Sequence, residues 1–238
     1  MLWKVLYEFE SPIPVESCVA GYQQLGLVLH YRDGNLIEMQ HTVNGGALGT
    51  EYTAIHDSSR LLNLFIQIVE FSYGLPVAMR AVGVSQVTEG SAASGGRIGF
   101  QSASVGVAIA SIVKLPSEVG LTGVNPRFTA LLYMFNAARY PTTDEEALRL
   151  YFNILEYLES STAKRSWTPV ARRLMFARNF VSHGVTLDQD KDEIKLFEQK
   201  VGKAIEPFDP QDSDYRRFIV DERQSAKTFL EARLALLL

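Results

Sequence analysis

The 238-residue sequence contains one cysteine, Cys18, and lacks the features of an exported or membrane-bound protein. A single cysteine cannot form an internal disulfide, so we expect the reducing environment of the cytoplasm. The first residues lack the basic region, apolar core and small-residue cleavage site of a signal peptide. The longest apolar runs are far shorter than a membrane span, so we expect no contact with a membrane.

The chain also lacks the positive charge of a general nucleic-acid coat protein, since its formal net charge is −4. Recognisable cofactor and metal signatures are missing as well. The glycine-rich stretch 90–99 has no following Lys-Ser/Thr and is not a phosphate-binding P-loop. His30, His41 and His56 are too widely spread for metal-ligand spacing. We therefore expect neither a metal nor a cofactor.

The first half of the chain has the pattern of an α+β domain. A chain with 47% apolar and 21% charged residues can bury a sizeable core. Asp33-Gly34 predicts a turn, and Asp57 is a candidate N-cap for a helix over 58–73. Short runs rich in β-branched and aromatic residues predict strands at 2–10, 25–31, 36–43, 51–55, 77–88 and 97–113.

The second half changes to the 3.6-residue period of helices. Helices are predicted over about 126–139, 143–159, 169–183, 191–205 and 213–236. Short polar joints between five consecutive helices favour a bundle. We therefore predict an α+β N-terminal sheet domain over 1–118 and an all-α helical bundle over 119–238.

The segment 168–184 has the beginning, the apolar face and the end of a helix. Thr168 is a suitable N-cap, and Pro169 suits the first helical position because its missing N–H costs nothing there. Gly184 stands where a helix would end in a left-handed turn. The expected apolar face consists of Val170, Leu174, Ala177 and Val181.

Three side chains near the end of this helix form a candidate catalytic set: Arg178, Asn179 and His183. Asn179 and His183 are four residues apart and share a face. Arg178 and His183 are five apart, which places them about 140° apart on an ideal helix. Either the last turn is distorted, or a second copy of the helix completes the site.

The surrounding sequence is locally basic. Residues 164–184 contain no acidic side chain, whereas 188–198 is rich in them. One interpretation is contact with a phosphate backbone. The other is a solvated helix face paired with the acidic segment. The candidate RNA-binding residues are Lys164, Arg165, Arg172 and Arg173.

The Arg178-Asn179-x-x-x-His183 pattern resembles the signature of HEPN domains, a helical superfamily of ribonucleases and nucleotide-binding proteins. The resemblance covers about the C-terminal half, with a helix near 151–158 and the motif helix at its core. A weaker resemblance is to an uncharacterised family named after methylamine-utilisation clusters. The HEPN resemblance implies a homodimer through the helical domain, RNA cleavage without a metal, and cyclic phosphate ends. It also implies a toxin or phage-defence effector, restrained by an antitoxin or other regulatory protein.

We therefore predict a metal-independent endoribonuclease, in which His183 transfers protons and Arg178 stabilises charge on the phosphate. Asn179 is expected to hold His183 or a phosphate oxygen. The N-terminal domain is then a sensor, a docking surface for an inhibitor or a substrate guide. Two alternatives stay open. One is a non-catalytic HEPN-like interaction or dimerisation module, and the other is an accessory protein that binds a small ligand.

Overall fold

The protein has an α+β layout in which an antiparallel sheet with one helix precedes a set of helices. The computed structural model describes residues 2–44, 51–87, 96–97, 114–117, 121–122, 126–140, 143–160, 163–183 and 191–237. The chain divides into two compact units, Met1–Thr129 and Ala130–Leu238. None of the described helices combines the length and apolar character that crossing a bilayer requires.

The sheet of the first unit is antiparallel throughout its described part. Its strands are β1 (Leu2–Pro14), β2 (Gly21–Tyr22), β3 (Leu27–Arg32), β4 (Asn35–Asn44), β5 (Met79–Gln86) and β6 (Gly96–Arg97). They lie in the order β2-β3-β4-β1-β5-β6. The strands predicted at 2–10, 25–31, 36–43 and 77–88 are confirmed as β1, β3, β4 and β5. Most of the predicted strand 97–113 lies outside the described residues.

One face of this sheet supplies the core of the first unit. Alternate residues of β1 are buried, among them Val5, Tyr7 and Phe9, because successive strand side chains point to opposite faces. The helix α1 (Glu51–Tyr73) packs on β1, β4 and β5 and buries Phe65 completely. The predicted turn at Asp33-Gly34 is confirmed, since both residues have positive φ (51° and 75°) between β3 and β4.

The start of α1 corrects two predictions. Residues 51–55 are helical rather than a strand, and Asp57 lies inside α1 rather than at its N-cap. Ala54, Ser58 and Leu62 are all buried at four-residue spacing, so one helical face runs unbroken past Asp57. Thr53 and Ile55 are β-branched and led to the strand prediction, but burial at this period overrides that preference.

The predicted five helices of the second half are confirmed. They are α2 (Pro126–Arg139), α3 (Asp144–Leu158), α4 (Pro169–His183), α5 (Lys191–Val201) and α6 (Ser213–Ala235), with a 3-10 turn at Lys164–Ser166. The Thr143 side chain caps α3, and the Thr168 hydroxyl accepts from the Ala171 N–H at the start of α4. Helix α5 ends earlier than predicted because Gly202 takes a left-handed φ of 79°.

Aromatic rings form the core of the second unit around Phe180. This side chain is completely buried, and its ring centroid lies 5.2 Å from those of Phe197 and Tyr215. The buried face of α4 is wider than predicted, because Phe176 and Phe180 are buried as well as Leu174. The helix packs on α3, α5 and α6, so apolar residues surround more than half of it.

Candidate functional site

The candidate site lies where α3 and α4 pack against each other in the second unit. Arg149 of α3 contacts Ser182 near the end of α4, whereas Phe152 contacts Arg178, one turn earlier on α4. The two helices therefore run in opposite directions along this contact. We name as the α3/α4 seam the residues Arg149, Phe152, Glu156, Lys164, Arg178 and Ser182.

Arg178 and His183 meet within one chain. The Arg178 Nη1 atom lies 3.4 Å from His183 Nε2 and donates a hydrogen bond to Asn179 Oδ1 at 3.0 Å. His183 is exposed and Arg178 is half-buried. Neither side chain forms an ion pair with any carboxylate that the structure describes. A cation and an imidazole are thus held side by side at a surface open to solvent.

This contact shows that one copy of the helix brings Arg178 to His183. A second copy of the helix is not needed to bring Arg178 to His183. The two side chains meet although they are about 140° apart on an ideal helix. The His183 side chain leans back towards the N-terminus of the helix, and the arginine side chain is long enough to reach it. The structure also gives Asn179 a definite contact, since its amide oxygen holds the guanidinium.

The ring of Phe152 supports the arginine from the neighbouring helix. The Arg178 guanidinium carbon lies 5.0 Å from the centre of this buried ring. A cation in this position is attracted by the negative face of the ring, which contributes about 0.5–2 kcal/mol depending on its solvation. The Phe152 ring in turn packs on Trp167 with centroids 6.3 Å apart.

Lys164 joins the same seam. Its Nζ lies 5.9 Å from the Phe152 ring centre and 5.8 Å from that of Trp167. It also pairs with Glu156 at 3.5 Å, although both side chains are about half exposed. Of the four basic residues proposed for RNA contact, Lys164 is therefore the one that contacts the same ring as Arg178.

Arg172 and Arg173 lie on other sides of α4. Arg172 Nε is 3.5 Å from Glu193 on α5, which is the pairing with the acidic segment that the sequence left open. Arg173 Nε donates to Glu222 on α6 at 3.2 Å. Both arginines thus connect α4 to neighbouring helices. The backbone of Arg165 lies in the 3-10 turn, and its side chain is outside the described part of the structure, as is Gly184.

Arg149 is a site residue that the sequence did not single out. Its Nε donates to Ser182 Oγ at 3.3 Å, directly before His183 in the chain, and its side chain is exposed. A signal for it existed. Because α3 and α4 are consecutive antiparallel helices, the first half of α3, which carries Arg149, lies beside the last turns of α4, which carry Ser182.

Three aromatic residues close to the α3/α4 seam differ in exposure. Tyr151 and Trp167 are buried, and burial raises the pKa of Tyr151 to about 12. Tyr157 is 41% exposed. Two glutamates near the end of α3 pair with other cations than Arg178, Glu156 with Lys164 and Glu159 with Arg233.

The three histidines of the first unit do not form a metal site. Across the described ranges, no group of three or more His, Cys, Asp or Glu side chains is placed to hold a metal ion. His41 is buried, its Nδ1 lies 2.8 Å from Ser58 Oγ, and burial lowers its pKa. His56 belongs to α1 rather than to a strand and is exposed beside Asp57.

No family model matches the sequence, and neither a curated protein nor a solved structure matches the chain.

Proposed function

We propose that the protein is a metal-independent endoribonuclease of HEPN type that acts as a homodimer. The observation that supports this function is the solvent-exposed contact between Arg178 Nη1 and His183 Nε2 at 3.4 Å. Transphosphorylation of RNA needs a proton acceptor and a positive charge at one phosphodiester, because the 2′-hydroxyl of the substrate is itself the nucleophile.

The contact defines a role for each side chain. A guanidinium has only donors, so the 3.4 Å contact is a hydrogen bond only when Nε2 of His183 acts as the acceptor. Nε2 takes the proton of the 2′-hydroxyl while the 2′-oxygen forms a bond to phosphorus. Arg178 donates to the non-bridging phosphate oxygens, where negative charge builds in the transition state. Asn179 keeps the guanidinium in place through its Oδ1.

The second half of the reaction requires an acid. As the bond from phosphorus to the 5′-oxygen breaks, the 5′-oxygen takes a proton, and the products are a 2′,3′-cyclic phosphate and a 5′-hydroxyl. His183 is the only histidine of the second unit, and one imidazole cannot be base and acid in the same step. His183 of a second copy, in its protonated form, supplies this proton across a two-fold axis. Exchange of both protons with water then restores the pair.

Purified protein incubated with RNA and a chelator of divalent ions tests the proposal. We expect cleavage that is lost in Arg178→Ala and in His183→Ala, with circular dichroism unchanged in both. Matched controls are Arg217→Ala, at a 73%-exposed arginine on α6, and His30→Ala, at an exposed histidine of the sheet. Cleavage that persists in both site variants, or that depends on Mg²⁺, would defeat the proposal.

The cellular role follows from the same resemblance to HEPN proteins. We propose a toxin or phage-defence effector of the cytoplasm, whose RNA cleavage is restrained by a regulatory protein until it is needed. The exposed thiol of Cys18 has no disulfide partner and suits a reducing compartment. The first unit is then available as the sensor or as the docking surface for the regulator.

A non-catalytic interaction module is the second candidate, and a groove in the helical unit favours it. The groove has a volume of about 850 Å³. It lies between the start of α4 and the C-terminal half of α6, and Val170, Phe229 and Leu236 contribute apolar surface. Leu236 is 86% exposed. Wild-type protein that cleaves no RNA, but self-associates in sedimentation and loses association in Leu236→Gln, would favour this function.

A further inference from the structure

Within the described part of the structure, Arg149 at the α3/α4 seam uses one of its hydrogen-bond donors. Its Nε donates to Ser182 Oγ at 3.3 Å, which fixes the plane of the guanidinium. A guanidinium has five N–H donors, so four remain on Nη1 and Nη2. The side chain is exposed, and no carboxylate within the described ranges forms an ion pair with it. These are the properties of an arginine available to an anionic ligand.

The position of Arg149 relates it to the Arg178–His183 contact. Arg149 and Phe152 are three residues apart on one face of α3, and their partners Ser182 and Arg178 are four apart on α4. From the helical rise, these separations correspond to about 4.5–6 Å along the seam. Arg149 therefore lies about one helical turn from Arg178, on the side of Ser182.

The charge along the seam is predominantly positive. Arg149, Arg178 and Lys164 bring three cations to it, whereas Glu156 is the carboxylate that forms an ion pair there, with Lys164. The paired carboxylate lies at the Lys164 end, and Glu145 and Glu146 of α3 lie one turn before Arg149 at the other end. The guanidinium of Arg149 offers donors to a phosphate that lies near His183.

We propose that Arg149 binds the phosphate adjacent to the scissile one, with Ser182 orienting its guanidinium. This inference rests on the proposed action on RNA and names the substrate class as a single-stranded polynucleotide with consecutive phosphates. A single strand fits because the seam is an open surface where the backbone can follow the cations while the bases turn outward. Arg149 is a binding residue for the neighbouring nucleotide, and the bond-breaking step does not require it.

Binding of an RNA oligonucleotide with 2′-O-methyl groups tests this role, because such RNA keeps its phosphates but has no 2′-hydroxyl to attack. Fluorescence anisotropy over a range of salt concentrations gives the slope of log affinity against log salt. We expect Arg149→Gln to weaken binding several-fold at low salt and to lower the slope by about 0.7, the value for one phosphate contact on a single strand. Arg217→Gln, a matched change on α6, leaves affinity and slope unchanged.

A cleavage assay separates this inference from the proposed nuclease. On an oligonucleotide, Arg149→Gln lowers kcat/KM. On a dinucleoside monophosphate, which has only the scissile phosphate, the variant loses less kcat/KM than on the oligonucleotide. An Arg149-dependent slope without any cleavage would support the phosphate site and reject the nuclease. An unchanged slope in Arg149→Gln, or a wild type that does not bind the oligonucleotide, would overturn the inference.

Discussion

Glu222 accepts a hydrogen bond from Arg173 at 3.2 Å while its own side chain is only 1% exposed. Its other carboxylate oxygen accepts from Lys200 at 2.8 Å. One buried anion on α6 thus holds a cation from α4 and a cation from α5. A buried carboxylate with both oxygens bonded is satisfied only while the three helices stay in register.

Replacement of Glu222 by Gln is expected to destabilise the second unit by about 1–3 kcal/mol, because two charge-assisted hydrogen bonds become weaker and two cations lose their anion. The estimate is below that for a fully buried pair, since Lys200 is 42% exposed. Urea unfolding in a Trp3→Phe background, in which Trp167 of the second unit is the remaining tryptophan, measures the change by fluorescence. Glu156→Gln is the control, because its exposed ion pair with Lys164 contributes less than about 1 kcal/mol.

The same geometry predicts what Arg173 does with RNA. Arg173→Gln should lower the free energy of unfolding, while the salt dependence of RNA binding stays that of the wild type, because the guanidinium is engaged with Glu222. A slope lowered as in Arg149→Gln would contradict this and would make Arg173 a phosphate contact.

Local sequence signals predicted the parts of the fold that local interactions determine. Thr143 and Thr168 begin their helices as hydrogen-bonding caps, and the turn at Asp33-Gly34 needs only the left-handed conformations of its own residues. The start of α1 was missed because the propensity of residues 51–55 conflicts with their burial, and burial depends on the sheet they pack against.

The sequence predicted which residues of α4 form the candidate site, but not which residues of α3 contact them. Arg178, Asn179 and His183 were found because they lie in one short segment. The contact of Arg178 with Phe152, and that of Arg149 with Ser182, join residues 26 and 33 positions apart. Such pairs follow from the register of two helices, which helical periodicity alone does not determine.

The stability of the first unit should depend on pH through His41. Burial lowers the pKa of this imidazole from its ordinary 6.5, partly opposed by a hydrogen bond with the backbone of Leu25. Below about pH 6.5 the unfolded chain therefore binds more protons than the folded chain. The contribution of neutral His41 to the free energy of unfolding is therefore fully present above about pH 6.5. It decreases as the pH falls from there towards the lower pKa of the folded state.

A Trp167→Phe background leaves Trp3, which is buried in the sheet, as the only tryptophan to report on the first unit. Denaturant unfolding between pH 7 and pH 5 should show a decrease in the free energy of unfolding when residue 41 is histidine, and a smaller decrease in His41→Gln. His30→Gln, at an exposed position of β3, should keep the full decrease. Equal pH dependence in both variants would show that another group is responsible.

The measurement that tests the central claim most directly is a double-mutant cycle on RNA cleavage for Arg178→Ala and His183→Ala in the presence of a chelator. Because the two side chains act on one phosphodiester, we expect each single change to lower kcat/KM by about 10²–10⁴-fold. The double variant should then be scarcely slower than the worse single one, as for residues that act as a unit. Losses that multiply, or cleavage that survives removal of both side chains, would contradict the account.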